Sequence, residues 1–97
     1  MTKRQENIDL LSEFRIRRGA IYGISGMGVF GSVARGEHTE NSDIDVYYEG
    51  RPLSLFKTVA LKEELEKLLN CSVDIVRLRE SMNKILRKRI QEEGIYV

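Results

Sequence analysis

Ninety-seven residues, 41% of them hydrophobic, suit one domain spanning 1–97 and leave no room for a second core, because a chain of this size buries only roughly 60% of its unfolded surface. Sixteen Lys and Arg against fifteen Asp and Glu give a net charge of +1, so neither nucleic acid nor an anionic membrane is required as a partner. The lone Cys71 excludes an intramolecular disulfide framework; with no apolar run near the roughly 20 residues of a bilayer span and a polar start lacking a signal-peptide core, the expectation is a cytoplasmic protein with no membrane association.

Ile8, Leu11 and Phe14 recur every three residues and predict a first helix from Gln5 to Arg17, ended by Gly19. Ile, Tyr, Val and Phe then mix with Gly23, Gly26 and Gly28, predicting a strand that starts at Ile24 or Gly26 and ends at Phe30. Ser32 suits a helix cap, with a short helix through Arg35, Gly36 behind it, and a polar loop Glu37–Ser42 containing His38. Asp43 to Tyr48 opens with alternating polar and apolar positions, as in a half-buried strand, and Gly50, Arg51 and Pro52 close it. Leu61, Leu65 and Leu68, flanked by Leu55, Val59 and Leu69, mark an amphipathic helix. Val73–Val76 reads as a strand, Met82–Glu92 as a helix with Ile85, Leu86 and Ile90 inward, and Ile95–Val97 as a short terminal strand. This order, with connections long enough for crossovers, gives an α/β (α+β) fold: a small mixed sheet with helices packed on it.

Charge is unevenly distributed. From Glu37 to Glu49 there are five carboxylates and no Lys or Arg, whereas Arg77 to Arg89 carries six cations and one carboxylate. Asp43 and Asp45 stand two apart, so on a strand they share one face while Ile44 and Val46 point to the core. Two like charges aimed at one spot call for a cation, and oxygen-only ligands favour Mg²⁺, which retains waters and binds substrate phosphates. Just upstream, Gly31 lets the backbone approach a phosphate closely, and Ser32 with the N–H groups of the helix start offers donors to anionic oxygens.

Gly31-Ser32 followed by Asp43-Ile44-Asp45, with Ala34-Arg35-Gly36 and Ser42 in keeping, resembles the signature of DNA polymerase β-type nucleotidyltransferases, and within them the minimal, single-domain MNT group. That resemblance implies a polymerase β-like fold and transfer of a nucleoside monophosphate, with ATP as donor, to an acceptor hydroxyl. It implies two Mg²⁺ ions held by Asp43 and Asp45 and a third carboxylate from a neighbouring strand, for which Asp74 in Val73-Asp74-Ile75-Val76 has the right context. Gly31, Ser32 and Arg35 would face the nucleotide, although an ion pair with the acidic loop explains Arg35 equally well. Proteins resembling this one at this size are commonly antitoxins of HEPN-type ribonuclease toxins, on which they can place AMP at a tyrosine. A toxin of that type is the implied partner.

Other readings stand beside these. Gly26-x-Gly28-x-x-Gly31 also satisfies the dinucleotide fingerprint, with Glu49 as a ribose ligand, but the following helix would have to run through Gly36 and the polar loop. A solvated strand face produces the Asp43/Asp45 alternation without chemistry, and Lys84, Arg87, Lys88 and Arg89 read as a solvated helix face. Tyr47, Tyr48 and Tyr96 are assigned to strand edges. A module of the same fold that neutralises its partner by contact alone, without catalysis, is the alternative to an enzyme, and an oligomer is compatible with either.

Overall fold

The computed structural model describes residues 3–37 and 43–97; His38, Ser42 and the polar loop between them lie outside the described residues. In chain order the elements are α1 (Lys3–Arg18), a 3₁₀ turn (Gly19–Tyr22), β1 (Ile24–Phe30), α2 (Ser32–Arg35), β2 (Ile44–Gly50), α3 (Leu55–Leu69), β3 (Val73–Arg77), α4 (Lys84–Glu93) and β4 (Ile95–Tyr96). The 3₁₀ turn carries no periodic signal and is absent from the sequence reading.

The sheet runs β3-β2-β1-β4. β1 pairs antiparallel with β2 and with β4, while β2 and β3 are parallel and joined by the α3 crossover. The link from β1 to β2 is therefore a reversal and not a crossover. Leu11 and Phe14 of α1, Leu61, Leu65 and Leu69 of α3, and Met27, Val29, Ile44, Val46 and Tyr48 of the sheet form the main core. On the other face Phe30 and Tyr47 pack with Met82 and with Ile90 of α4. β2 is thus covered on both faces, which is why Tyr47 and Tyr48 are both buried in an inner strand and not at a strand edge; Tyr96, on the edge strand β4, is exposed.

Side-chain caps that the sequence analysis does not identify start the last two helices. Ser54 accepts from Lys57 N–H at the start of α3, and Asn83 accepts from Ile85 and Leu86 N–H at the start of α4, so Met82 lies before that helix. Ile85 is exposed, contrary to the inward placement, because Leu86 and Ile90 define the buried stripe and their neighbour is turned about 100° away. Ser32 is the first helical residue and makes no capping bond; Gly31 occupies the cap.

Glycine in β1 has a packing reason. A Cβ on Gly28 would lie 2.4 Å from the Tyr47 ring and 2.5 Å from the Ile95 carbonyl oxygen, so only glycine lets the strand pass between them.

Candidate functional site

Asp45 stands second in β2 and is the register partner of Phe30 on β1 and of Asp74 on β3. In a parallel pair, register partners point to the same side of the sheet, with strands about 4.8 Å apart. The face is the one that α4 covers, since Val76, two residues after Asp74, packs with the Phe30–Tyr47–Ile90 cluster. Asp43 is exposed one residue before β2, where the Ile44 N–H bond to Ser72 O, 2.9 Å, ties the chain to the approach of β3. Ile44 and Val46 are fully buried in the main core, as the alternation predicts.

Burial pushes the Asp45 carboxyl above its ordinary range, and the negative charge of Asp74 pushes in the same direction, as does Asp43 to a smaller extent. Arg89 and Arg35 oppose the shift. This is the electrostatic mark of carboxylates gathered without enough cation beside them.

Gly31 abuts this carboxyl directly. It has φ 72° and ψ −143°, and a Cβ there would lie 2.3 Å from Asp45 Oδ2. The turn therefore brings the backbone against the Asp45 carboxylate, a contact the sequence reading had assigned to phosphate alone. Behind it, Arg35 N–H donates to Gly31 O, 3.1 Å, closing the single turn of α2. Ser32 is half-buried at the start of that turn. Arg4 of α1 braces the turn from below, donating to Val33 O and Ala34 O.

Arg35 is held by two carboxylates, with Nε to Glu37 and Nη1 to Glu93, each 3.0 Å. The first is the ion pair with the acidic loop foreseen as the alternative for this residue; the second, to the end of α4, links elements 58 residues apart and has no local signal. Arg89, read from sequence as part of a solvated face, is the other cation acting on Asp45. The complementary acidic and basic stretches of the chain are the sequence hint of that influence.

Among the described residues no three His, Cys, Asp or Glu side chains close a metal cage. Asp45 and Asp74 nonetheless suit Mg²⁺, which needs only one or two carboxylates and takes the rest of its shell from water and phosphate oxygens. A cavity of about 430 Å³ lies elsewhere on the same face, lined by Tyr47, Glu49, Arg79, Arg87 and Tyr96 among others; no Asp of the site lines it. Among the described residues no helix is long and apolar enough to cross a membrane.

Comparison with known proteins gives the family and the fold. The family model described as polymerase beta, nucleotidyltransferase matches residues 22–97. The protein adenylyltransferase MntA of Thermococcus cleftensis is 39% identical over 77 residues, spanning 78% of this chain and 77% of that protein. A Methanocaldococcus jannaschii chain bearing a protein-adenylyltransferase name is 40% identical over 79 residues, 78% of this chain and 79% of its own. Among solved structures, one described as a minimal nucleotidyltransferase superposes with a TM-score of 0.70 at 35% identity, over 95% of this chain and 89% of that one. A toxin–antitoxin structure with AMP-PNP gives a TM-score of 0.70 at 26% identity, over 96% and 70%.

Proposed function

This chain belongs to the polymerase β-type nucleotidyltransferase family, and we propose that it transfers AMP from ATP to a hydroxyl of a protein partner, a HEPN-type toxin, as the antitoxin of the pair. The observation that carries the reading is the convergence of Asp45, its register partner Asp74 and the Gly31 turn at one end of the sheet. A half-buried carboxylate beside an exposed one of like charge is unfavourable by itself, and a substrate that arrives with cations relieves it.

In this reading Asp43, Asp45 and Asp74 hold Mg²⁺, two ions in the full site, and Gly31 and Ser32 line the path of the triphosphate. Bound Mg²⁺ neutralises phosphate charge and holds acceptor and donor in line. The acceptor oxygen bonds to the α-phosphorus, the bond from that phosphorus to the bridging oxygen breaks, and pyrophosphate leaves. In the same reading Asp74, the more exposed of the register pair, orients the acceptor hydroxyl and takes its proton. The rest of the contribution is positioning, the usual share of a protein in phosphoryl-group chemistry. The names of the relatives, protein adenylyltransferases, and a neighbour that is a toxin–antitoxin structure with AMP-PNP support the donor and the class of acceptor.

The test is transfer of label from α-labelled ATP, with Mg²⁺, into protein of a native lysate, wild type against Asp43→Ala/Asp45→Ala. A labelled band that disappears in the double variant supports the proposal and gives the acceptor's size. A partner captured and neutralised equally by both proteins, without label, refutes it and favours the contact-only module.

A further inference from the structure

Of the two cations that act on Asp45, one is already engaged. Arg35 has its guanidinium between Glu37 and Glu93. Arg89 is exposed and makes no ion pair or hydrogen bond with any described residue. Its position follows from α4 itself. Leu86 and Ile90 turn into the Phe30–Tyr47 cluster, which fixes the rotation of the helix. Arg89 and Glu93 are four apart and so lie on one flank, and Glu93 is pinned to Arg35 of α2. That flank faces the turn that follows Gly31, while Arg87 and Gln91 line the cavity on the opposite flank. The field of Arg89 at Asp45 agrees with this placement.

We infer that Arg89 is a nucleotide-binding residue of this site, its guanidinium on the inner flank of α4 gripping the triphosphate of the donor, with the Arg35–Glu93 pair holding α4 in position. The inference rests on the nucleotidyl-transfer reading and deepens it by naming the phosphate ligand. A triphosphate standing against Gly31 and Asp45 occupies the sheet face beneath α4, and brings negative charge that three carboxylates of the site repel. A guanidinium on that flank with no partner among the described residues offers a planar fork of donors matched to phosphate oxygens. Arg35 can supply the same only by giving up two ion pairs.

The experiment is equilibrium titration of Mg²⁺ with a non-hydrolysable ATP analogue into the full chain, for wild type and for Arg89→Ala, Arg89→Lys and Lys88→Ala. Lys88 is the adjacent exposed cation on the solvent side, paired with Glu92 at 3.8 Å, and its loss removes the same charge from the same helix. Arg89→Ala is expected to weaken binding by about tenfold or more, the loss typical of a charge-assisted contact; Arg89→Lys recovers part of it, and Lys88→Ala binds as wild type. Thermal unfolding of all four proteins separates loss of binding from loss of fold. Wild-type affinity in Arg89→Ala, with wild type itself binding the analogue, overturns the inference and leaves the nucleotidyl-transfer reading intact. Equal weakening in Lys88→Ala also overturns it, since the effect is then one of net charge. Failure of wild type to bind the analogue at all overturns both.

Discussion

Replacing Gly31 by alanine separates two costs that coincide at this turn. The first is backbone strain: φ 72° with ψ −143° is close to a region open essentially only to glycine, and costs of order 1–3 kcal/mol for any other residue. The second is the collision of the new Cβ with Asp45 Oδ2 at 2.3 Å and Cγ at 3.3 Å, which forces the carboxylate to rotate or the turn to lift. In an Asp45→Ala background the second cost vanishes, since the atom that remains, Cβ, would be at 3.6 Å, an ordinary contact. Gly31→Ala is therefore expected to lower stability by about 2–4 kcal/mol in the wild-type background, adding roughly 1 kcal/mol of overpacking to the strain. In Asp45→Ala it should cost only the strain. For a domain of this size each kcal/mol shifts Tm by about 4–8 °C, so a coupling of about 1 kcal/mol is readable from four urea or thermal unfolding curves. Gly36→Ala supplies a collision-free reference at positive φ, here 75° with ψ 19° in the left-handed helical region, where no atom of the described residues lies within 4 Å of the built Cβ. Additivity of Gly31→Ala and Asp45→Ala within about 0.5 kcal/mol would refute the claim that this glycine exists to admit the Asp45 carboxylate.

Three further outcomes are expected. Asn7 is 1% exposed, and among the described residues both its side-chain amide atoms lack hydrogen-bond partners, so Asn7→Leu should raise Tm by removing an orphaned amide worth about 1–3 kcal/mol; a lower Tm would mean that the amide is satisfied in solution. Tyr47 is pushed up to about 12, first by burial and then by Tyr96 and Glu49; its protonated form is favoured in the folded state, so its stabilisation is complete below pH 10 and is lost as pH rises toward 12. Tyr47→Phe should flatten the alkaline limb of a stability–pH curve, and an unchanged limb counts against the buried hydroxyl as its source. Mg²⁺ should raise the Tm of wild type, by about 2.7 kcal/mol of stability at a hundredfold excess over its Kd, and leave Asp45→Asn/Asp74→Asn unshifted; a wild-type protein indifferent to Mg²⁺ in calorimetry would remove the metal from the proposal.

Local features were the legible ones. Leu61 and Leu65 announce α3 because a helix writes its buried face into the chain at three- and four-residue spacing, and both are fully buried. Gly31-Ser32 and Asp43-Ile44-Asp45 could be seen as one constellation because only the polar loop separates them. What the chain does not display locally is strand direction and register, which arise from closing long loops onto a common core. Hence the reversal between β1 and β2 was unforeseen, and the Asp45–Asp74 pairing had only strand context in its favour. The same holds for Tyr47 and Tyr48: alternation cannot report that β2 is inner and covered on both faces. Ile85 and Ser32 failed for a smaller reason, an offset of one residue, which on a helix is a rotation of about 100° and at a turn decides which residue caps.

Strand direction is also what makes the site. β3 runs parallel to β2 and matches Val73–Arg77 with Ile44–Tyr48. Were the same two segments antiparallel, Asp74 would face Tyr47, about 7 Å along the strand from Asp45, and the carboxylates would not meet. The α3 crossover carries the chain back to the start of β2, so this helix sets the distance between two of the three acidic groups. On the other side, β1 must run antiparallel, because only then does its last residue, Phe30, stand opposite Asp45 and the next, Gly31, turn against that carboxyl. A sheet with all strands parallel would put the glycine turn at the far end of β2. The mixed sheet therefore gathers three segments at one end through one reversal and one crossover. Leu61 and Leu65, buried in α3 and remote in sequence from the carboxylates of the site, anchor the crossover that returns the chain beside β2.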